Sequence, residues 1–503
     1  MKKRFLSALL ALLLLTSCGA PAVPTETDDT QPVSDAGESE AAETTASAET
    51  EPPTEMEKRA SVKANLPDIK FDGAELRIST KSGTLYEINA EELNGEARND
   101  AVFERNRLVE EQYDVTIVPV ISNLNDVSGH AAEVMRSIQA QDDAYDLVAA
   151  YAMASGSLAI KNMLQNWLDM KYNDFSQPWW ISGINDRFTI KGKNYTAVGD
   201  MCVSTLMFTY GMFYNRTKGE DYGLNATLYD TVRDGKWTFD YFNGLVKEVY
   251  EDLNGDGKKD DTDFYGFAAE QVTNLDMYNF AFDIPITSRN SEGDLEVTIY
   301  SEKTVDVVDA LNQLYWENVG TYISANSSDY GVPIRMFRDG NALFTTTYMS
   351  QAFGQLRDME DDYSILPYPK WDENQEKYMT GAMDNYSVLC IPVTTAETDM
   401  VSVLVEALNV ESYKTVFPTY YEQSLQQKYA RDPESIEMIN LLMDGRNFDF
   451  SVILTNNIQG LSTMIRTVVN MKTTNFATYY AKSGPVMEKT LSKLLKSYGE
   501  TAG

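Results

Sequence analysis

The segment Leu76-Arg77-Ile78-Ser79-Thr80 is the first of a series of apolar segments from which the fold class can be predicted. Short apolar runs predict strands, and longer segments with apolar residues at about 3.6-residue spacing predict amphipathic helices. The two kinds of segment alternate, strand first, over residues 76–80, 97–112, 115–120, 131–140 and 146–150. This strand-helix-strand-helix-strand order predicts a parallel sheet that is covered by helices.

Ligand sites of such sheets lie outside the carboxyl ends of the strands, where the loops leave the sheet. The segments that follow the first and third predicted strands are residues 82–88 and 151–157. We therefore expect functional residues in these two segments.

Further helices are predicted in the second half of the chain. Thr238 is a predicted N-cap, because Trp237 and Phe242 stand on either side of it at the positions of a hydrophobic staple. We predict no internal repeat and no transmembrane segment after the amino terminus. Helical spacing recurs over residues 304–317, 399–411, 435–443 and 484–497.

The amino terminus has the features of an export signal. Basic residues at positions 2–4 precede an apolar run over residues 5–15, which is shorter than the roughly 20 residues that span a bilayer. The run ends in Leu15-Thr16-Ser17-Cys18, which resembles the lipobox of bacterial lipoproteins. That resemblance implies removal of residues 1–17 and acylation of Cys18 by palmitate-type chains, and more than one chain makes the anchor stable. The alternative is an ordinary cleaved signal that an incidental cysteine follows.

Residues 18–65 are rich in Pro, Thr, Ser, Ala and Glu and contain few large apolar side chains. Such a segment cannot bury enough apolar surface to offset its ordering entropy, so the sequence predicts a disordered acidic tether. The folded part is expected to begin near Pro67 and is long enough for two lobes. The formal charge of the chain is −34, which argues against binding to nucleic acid or anionic lipid.

Two cysteines, Cys202 and Cys390, remain once Cys18 is assigned to the lipid. An extracytoplasmic location would permit a disulfide between them. We favour two buried free thiols, because neither cysteine lies in a small disulfide-dense unit and a buried Cys commonly serves as an apolar residue.

Residues 252–263 match the template of a calcium-binding loop, with oxygen donors at alternate positions and Gly257 at the sharp turn. Asp263 replaces the usual glutamate at the last position, so we expect weak binding of Ca²⁺ with a structural role. The alternative is a solvated turn of Asp and Gly residues. The predicted ligands are Asp252, Asn254, Asp256, the carbonyl of Lys258, Asp260 and Asp263.

The sequence offers little for catalysis, and we predict no catalytic residues. His130 is the only histidine, so neither a Ser-His or Cys-His pair nor a multi-histidine metal site is expected. It opens a predicted helix and should face solvent. A pair of glycosidase carboxylates stays open among the 76 Asp and Glu residues. Trp179 and Trp180 are adjacent, so on an extended segment at most one of them could line a cleft.

Several degenerate motifs accompany the export signal and the calcium loop in a consistent order. They are residues 101–106 (Ala-Val-Phe-Glu-Arg-Asn), 145–148 (Tyr-Asp-Leu-Val), 234–238 (Asp-Gly-Lys-Trp-Thr), 265–267 (Tyr-Gly-Phe), 337–344 (Phe-Arg-Asp-Gly-Asn-Ala-Leu-Phe) and 365–369 (Ile-Leu-Pro-Tyr-Pro). In this order the chain resembles the extracellular solute-binding proteins of carbohydrate ABC importers (family 1, similar to maltose-binding protein). The resemblance covers nearly all of the folded part.

The resemblance implies an α/β fold with two lobes, crossing hinge strands and a ligand cleft between the lobes. The chain would cross near residues 197–200, return near Thr345 and cross again near Ile391. Lobe 1 would comprise residues 66–198 and 345–390, and lobe 2 would comprise residues 199–344 and 391–503.

The resemblance also implies a function: capture of an oligosaccharide, without chemistry, for delivery to an ABC permease. The protein would be a monomer that its lipid anchors to the extracytoplasmic face of the bacterial cell membrane. Two alternatives stay open, a surface-anchored glycoside hydrolase and a binding protein for another solute such as a peptide. The implied ligand residues lie beside the crossings and at the strand ends, and they are Tyr86, Tyr151, Asp200, Tyr348, Asp384 and Tyr386.

Overall fold

The computed structural model describes residues 55–124, 126–324, 329–421 and 433–498. The predicted signal peptide, Cys18 and residues 19–54 lie outside the described residues. The strands are β1 (Ala74–Thr80), β2 (Val115–Ile121), β3 (Leu147–Tyr151), β4 (Tyr210–Asn215), β5 (Tyr250–Glu251), β6 (Phe264–Glu270), β7 (Thr287–Arg289), β8 (Leu295–Val297), β9 (Thr321–Ser324), β10 (Ala342–Tyr348), β11 (Tyr363–Leu366) and β12 (Ser387–Cys390).

Helices separate most of these strands and cover the sheets. They are α1 (Glu55–Ser61), α2 (Leu85–Ile88), α3 (Ala97–Tyr113), α4 (Val127–Ala140), α5 (Ala152–Ile160), α6 (Ser182–Phe188), α7 (Ser204–Met207), α8 (Arg216–Asp221), α9 (Leu228–Arg233), α10 (Phe239–Val246), α11 (Thr273–Ala281), α12 (Glu302–Asn312), α13 (Val332–Arg338), α14 (Thr398–Glu411), α15 (Pro433–Asp444), α16 (Met464–Asn470) and α17 (Phe476–Ser497). A π-helical turn, Gln313–Glu317, extends α12 and accounts for the longer helix that the sequence predicts there.

The first sheet confirms the predicted alternation. β1, α3, β2, α4 and β3 follow one another, and the strand order is β12-β3-β1-β2. β1 pairs in parallel with both β2 and β3, whereas β12 is antiparallel to β3. The carboxyl ends of the three parallel strands therefore lie at one edge, as expected for a ligand-binding sheet.

The second sheet has the order β11-β4-β10-β6-β5, and β9 pairs with β6. Helix α10 packs against it and begins where the sequence predicts. Thr238 accepts a hydrogen bond from the backbone N–H of Tyr241, and the rings of Trp237 and Phe242 lie 5.7 Å apart, which confirms the N-cap and the staple.

The chain crosses from the first sheet to the second after Ala197 and returns at β12. The two crossing segments run antiparallel, because Ala197 and Leu389 exchange backbone hydrogen bonds of 3.0 and 2.8 Å. The first segment lies where the resemblance implies a crossing, near residues 197–200, whereas the return comes at β12 and not near Thr345.

The predicted lobe boundaries after residue 344 are wrong. Thr345 lies inside β10, where it pairs with Phe213 and Ala268, and β11 belongs to the same second sheet. Residues 345–366 thus belong with the second sheet and not with lobe 1. Conversely, α14 packs against α3 of the first sheet, although residues 391–503 were assigned to lobe 2. Strand pairing is decided by distant segments, so the local pattern gives no boundary here.

The folded part also begins earlier than predicted. Helix α1 lies within residues 18–65, the predicted tether, and the guanidinium of Arg59 stands 4.2 Å from the ring centroid of Tyr413. Val62 packs against the core. Cation–π contacts of this kind hold a short polar helix that has little apolar surface of its own.

Cys202 and Cys390 are both buried and free, which confirms the prediction of two apolar thiols. None of the helices that the structure describes combines the length and apolarity needed to cross a bilayer.

Candidate functional site

Two adjoining cavities lie at the carboxyl ends of the strands. The first follows Tyr348 of β10 and Glu270 of β6, and the second reaches Met153, two residues beyond β3. Val272 and Thr273 line both cavities, so the two form one groove, which we call the cleft. Each cavity encloses about 240 Å³. The cleft therefore has the place that the topology predicts for a ligand site.

Aromatic rings form one wall of the first cavity. Tyr348 packs edge-on against Tyr210 at 5.6 Å and against Phe208 at 5.8 Å between ring centroids. Tyr330 is half-exposed at the rim of the same cavity. Rings held in this way offer fixed apolar faces to a ligand.

Hydrogen-bonding groups face this wall. The carboxylate of Glu270 accepts hydrogen bonds from the backbone N–H groups of Val272 and Asn274, at the start of α11. Burial raises the pKa of Glu270, and these amides lower it again. Asn274 donates to both the carbonyl and the hydroxyl of Thr346. Gln351 and Gln355 add two amide side chains to the lining.

The second cavity is charged. Asp276 and Arg466 form an ion pair of 3.1 Å between Oδ2 and Nη1, and Asp384 lines the same cavity. Burial raises the pKa of both carboxyls, and the guanidinium of Arg466 opposes that rise in each.

The structure brings two of the six predicted ligand residues, Tyr348 and Asp384, to the cleft. Asp200 instead lines a separate cavity of about 900 Å³, together with Arg59 and Arg446. Burial raises the pKa of Asp200 to about 7 against the effect of these two arginines.

The other three predicted tyrosines do not line the cleft and pack against other side chains. Tyr386 is fully buried against Phe448, with 5.8 Å between the ring centroids, and Tyr86 packs against Tyr420 at 6.1 Å. Tyr151 ends β3 but is only 9% exposed. Position at a strand end predicts the place of a residue in the sheet but not the direction of its side chain.

A buried lysine explains the position of Tyr151. Lys81 follows β1 directly, and its Nζ lies 4.0 Å from the centroid of the Tyr151 ring. The ammonium group donates to the carbonyl of Ala149 and to Oγ of Ser387, each at 3.1 Å. Burial lowers the pKa of Lys81 to about 8. Lys81 thus connects β1, β3 and β12.

Glu87 completes this buried cluster next to the hinge. Its Oε2 accepts a hydrogen bond of 2.9 Å from the backbone N–H of Ser204, and Ser204 Oγ in turn accepts from the N–H of Ser387. Burial raises the pKa of Glu87, and Lys81 and the two serines lower it. Hydrogen bonds therefore link Ser204 and Ser387, which lie beside the two crossing segments, to each other and to the carboxylate of Glu87.

Sequence reasoning missed most of the polar lining. Glu270 lies near the predicted motif at residues 265–267, but nothing in the local sequence identifies Arg466, which reaches the cavity from a largely apolar helix, α16. The missed residues are Tyr210, Glu270, Asn274, Asp276, Gln351 and Arg466.

The predicted exposure of His130 to solvent is wrong. His130 is 1% exposed and its Nε2 lies 3.0 Å from Ser79 Oγ, because α4 begins at Val127 and places His130 on the buried face of the helix. Burial lowers the pKa of His130 to about 4. Neither Trp179 nor Trp180 lines the cleft, and both indole N–H groups donate to the carboxylate of Glu406.

The predicted calcium loop contains the expected sharp turn, since Gly257 has a φ of 72°. Carboxylates of the loop accept hydrogen bonds from its own backbone N–H groups. Asp252 accepts from Gly255 at 2.7 Å and from Gly257 at 2.9 Å, and Asp263 accepts from the hydroxyl of Tyr250 at 3.0 Å. Among the described side chains, no group of three or more His, Cys, Asp or Glu residues is arranged to hold a metal ion.

No protein-family model matches the chain, and no curated protein sequence matches it either. Among solved structures, the chain is similar to the ABC substrate-binding protein Lmo0181 from Listeria monocytogenes, in complex with cycloalternan. Sequence identity is 15%, the TM-score is 0.51, and the match covers 85% of this chain and 100% of the Listeria chain. This likeness confirms the predicted fold class: the chain has the α/β fold of an ABC substrate-binding protein.

Proposed function

We propose that the protein captures an oligosaccharide outside the cell and presents it to an ABC permease. The cleft carries this proposal, because tyrosine rings and hydrogen-bonding side chains converge there at the strand ends of both sheets. The similar Listeria protein, whose structure contains cycloalternan, supports a sugar as the class of ligand.

The lining suits the chemistry of a sugar. A pyranose has apolar C–H faces that stack on aromatic rings and hydroxyls that pair with carboxylates and amides. Tyr210 and Tyr348 supply the rings, and Asn274 and Gln351 supply amides. An oligosaccharide long enough to occupy both cavities would contact the ring wall and the charged cavity at once.

Binding without chemistry is the better account of the carboxylates in the cleft. A glycoside hydrolase needs one carboxyl as general acid and a second as nucleophile or base. Glu270 instead accepts the backbone amides that begin α11, and Asp276 is paired with Arg466. Both side chains thus have structural partners that would compete with those roles.

We further propose a lipid anchor at Cys18 and a structural Ca²⁺ ion in the 252–263 loop. The lipobox supports the anchor and an extracytoplasmic location. The alternating oxygen donors and the positive φ of Gly257 support the ion. The ligands of the ion would be Asp252, Asn254, Asp256, Asp260, Asp263 and the carbonyl of Lys258. The protein would act as a monomer.

A binding screen over neutral oligosaccharides by calorimetry tests the proposed function. Tyr348→Ala should weaken binding of a hit by about 1 to 3 kcal/mol, because a buried ring contact is lost. Tyr300→Ala is the matched control, since Tyr300 stacks on Tyr480 at 4.8 Å and does not line the cleft. Steady hydrolysis of the sugar, abolished by one carboxylate substitution that leaves binding intact, would favour the hydrolase instead.

A further inference from the structure

The second cavity of the cleft is lined by two acidic side chains and one basic side chain. Asp276 and Asp384 both line it, and Arg466 is the cation among its lining residues in the described part of the chain. Arg466 Nη1 lies 3.1 Å from Asp276 Oδ2, so the guanidinium is already engaged by one carboxylate. The guanidinium of Arg466 is therefore the basic partner of both Asp276 and Asp384.

Asp276, which lines this cavity, also carries an acceptor without a donor. Asp276 Oδ1 is buried and has no hydrogen-bond partner among the residues that the structure describes. A ligand that places a donor beside this oxygen would satisfy it. A positively charged donor would do so more strongly, because charge-assisted hydrogen bonds exceed neutral ones in strength.

We propose that the cleft selects an oligosaccharide with a free amino-sugar unit, whose ammonium group lies between Asp276 and Asp384. This inference rests on the proposed function and names the class of sugar. The unit would occupy the second cavity, while the neighbouring unit stacks on Tyr348 in the first. A uronic acid is disfavoured at the same place, because its carboxylate would meet two others.

The groups around Asp276 and Asp384 indicate that these carboxyls lose protons when an ammonium group binds between them. Asp276 is faced by Arg466, Asp384 and Glu270, and Asp384 is faced by Arg466 and lies beside Tyr386. Burial raises the pKa of both carboxyls, whereas a bound ammonium group stabilises their ionised forms. Binding of the amine should therefore release protons.

Matched tetrasaccharides test the inference by calorimetry at pH 6: a glucosamine tetramer, its N-acetylated form and a galacturonic acid tetramer. We expect the amine to bind about tenfold or more tightly than the N-acetyl form, and the acid to bind most weakly. Asp384→Asn, which keeps the shape of the side chain, should reduce that preference to about threefold or less. Glu292→Gln removes an exposed charge from the β7–β8 turn and should leave it unchanged.

Two buffers of different ionisation enthalpy supply a second measurement, since proton release on amine binding shows as a difference in apparent enthalpy. Equal binding of the amine and its N-acetyl form would overturn the inference and leave the proposed function standing. An amine preference that Asp384→Asn and Asp276→Asn both retain would overturn it as well. Failure of every sugar to bind would overturn the proposed function with it.

Discussion

Replacing Glu406 should loosen the packing of residues 173–180 against α14. Glu406 is 2% exposed, and its carboxylate accepts hydrogen bonds from Trp179 Nε1 at 2.7 Å and from Trp180 Nε1 at 2.9 Å. Asn173 Nδ2 donates a third bond of 3.2 Å. Burial raises the pKa of Glu406, and these three donors lower it. The two indoles thus depend on one carboxylate for their buried N–H groups.

The size of the effect follows from the number of donors left without an acceptor. Glu406→Gln keeps the volume but offers one oxygen in place of two, so one indole N–H meets an amide donor. Loss of a buried hydrogen bond to a charged group costs about 1.5 to 3 kcal/mol. Glu406→Ala leaves both indoles unpaired and opens a cavity, so we expect about 4 kcal/mol or more.

Urea unfolding, followed by tryptophan fluorescence, measures both variants. Asp399→Asn is the control on the same helix, because Asp399 is 67% exposed and lies 3.9 Å from Lys171. An exposed pair of this kind contributes about 1 kcal/mol or less. If Glu406→Gln were no more destabilising than Asp399→Asn, the carboxylate would not be what holds the two tryptophans.

Three further predictions concern the ion, the anchor and a buried carboxyl. In thermal unfolding, Ca²⁺ at a hundredfold excess over its Kd should stabilise the fold by about 2.7 kcal/mol, and a chelator or Asp256→Ala should remove that gain. If Ca²⁺, the chelator and the substitution all leave the unfolding midpoint unchanged, the loop does not bind the ion. Cys18→Ser should release the protein from membranes in a fractionation with a high-salt wash, whereas a variant that stays bound has another anchor. Burial raises the pKa of Asp200 to about 7, so the folded protein keeps a proton that the unfolded chain loses above about pH 4. The stability that this proton contributes is lost as the pH rises from about 4 to 7. Over this range the free energy of unfolding of Asp200→Asn should therefore increase by about 3 to 4 kcal/mol relative to that of the wild type. Parallel pH profiles of the two proteins in urea unfolding would contradict this prediction.

Local patterns sufficed for the elements of the first sheet. Its predicted strands and helices agree with the structure except at their ends, because an alternating apolar pattern acts within a few residues. An error in the predicted start of one helix, α4, had a consequence for a side chain. Asp126 caps α4 through the N–H of Gly129, so the helix starts before residue 131 and carries His130 into the core.

The cleft could be predicted in place but not in composition. Tyr348 and Asp384 lie at strand ends or crossings, where the topology puts ligand residues. Arg466 comes from a helix more than eighty residues further along the chain than Asp384, and it meets Asp276 only through tertiary packing. Likewise, β10 and β11 join the second sheet through pairing with β4, which no pattern within residues 342–366 specifies.

The hinge strands that the family resemblance implies would let the cleft close on its ligand, and the fixed point of that motion would be where the crossing segments are tied. Ala197 and Leu389 exchange backbone hydrogen bonds, and Ser387 N–H donates to Ser204 Oγ at 2.9 Å. A hinge absorbs rotation in the few residues beside such a fixed point. On the returning segment those residues include Asp384, which lines the cleft. A ligand that contacts Asp384 therefore acts on the hinge itself, and it can favour the closed form by the difference in that contact between the two states.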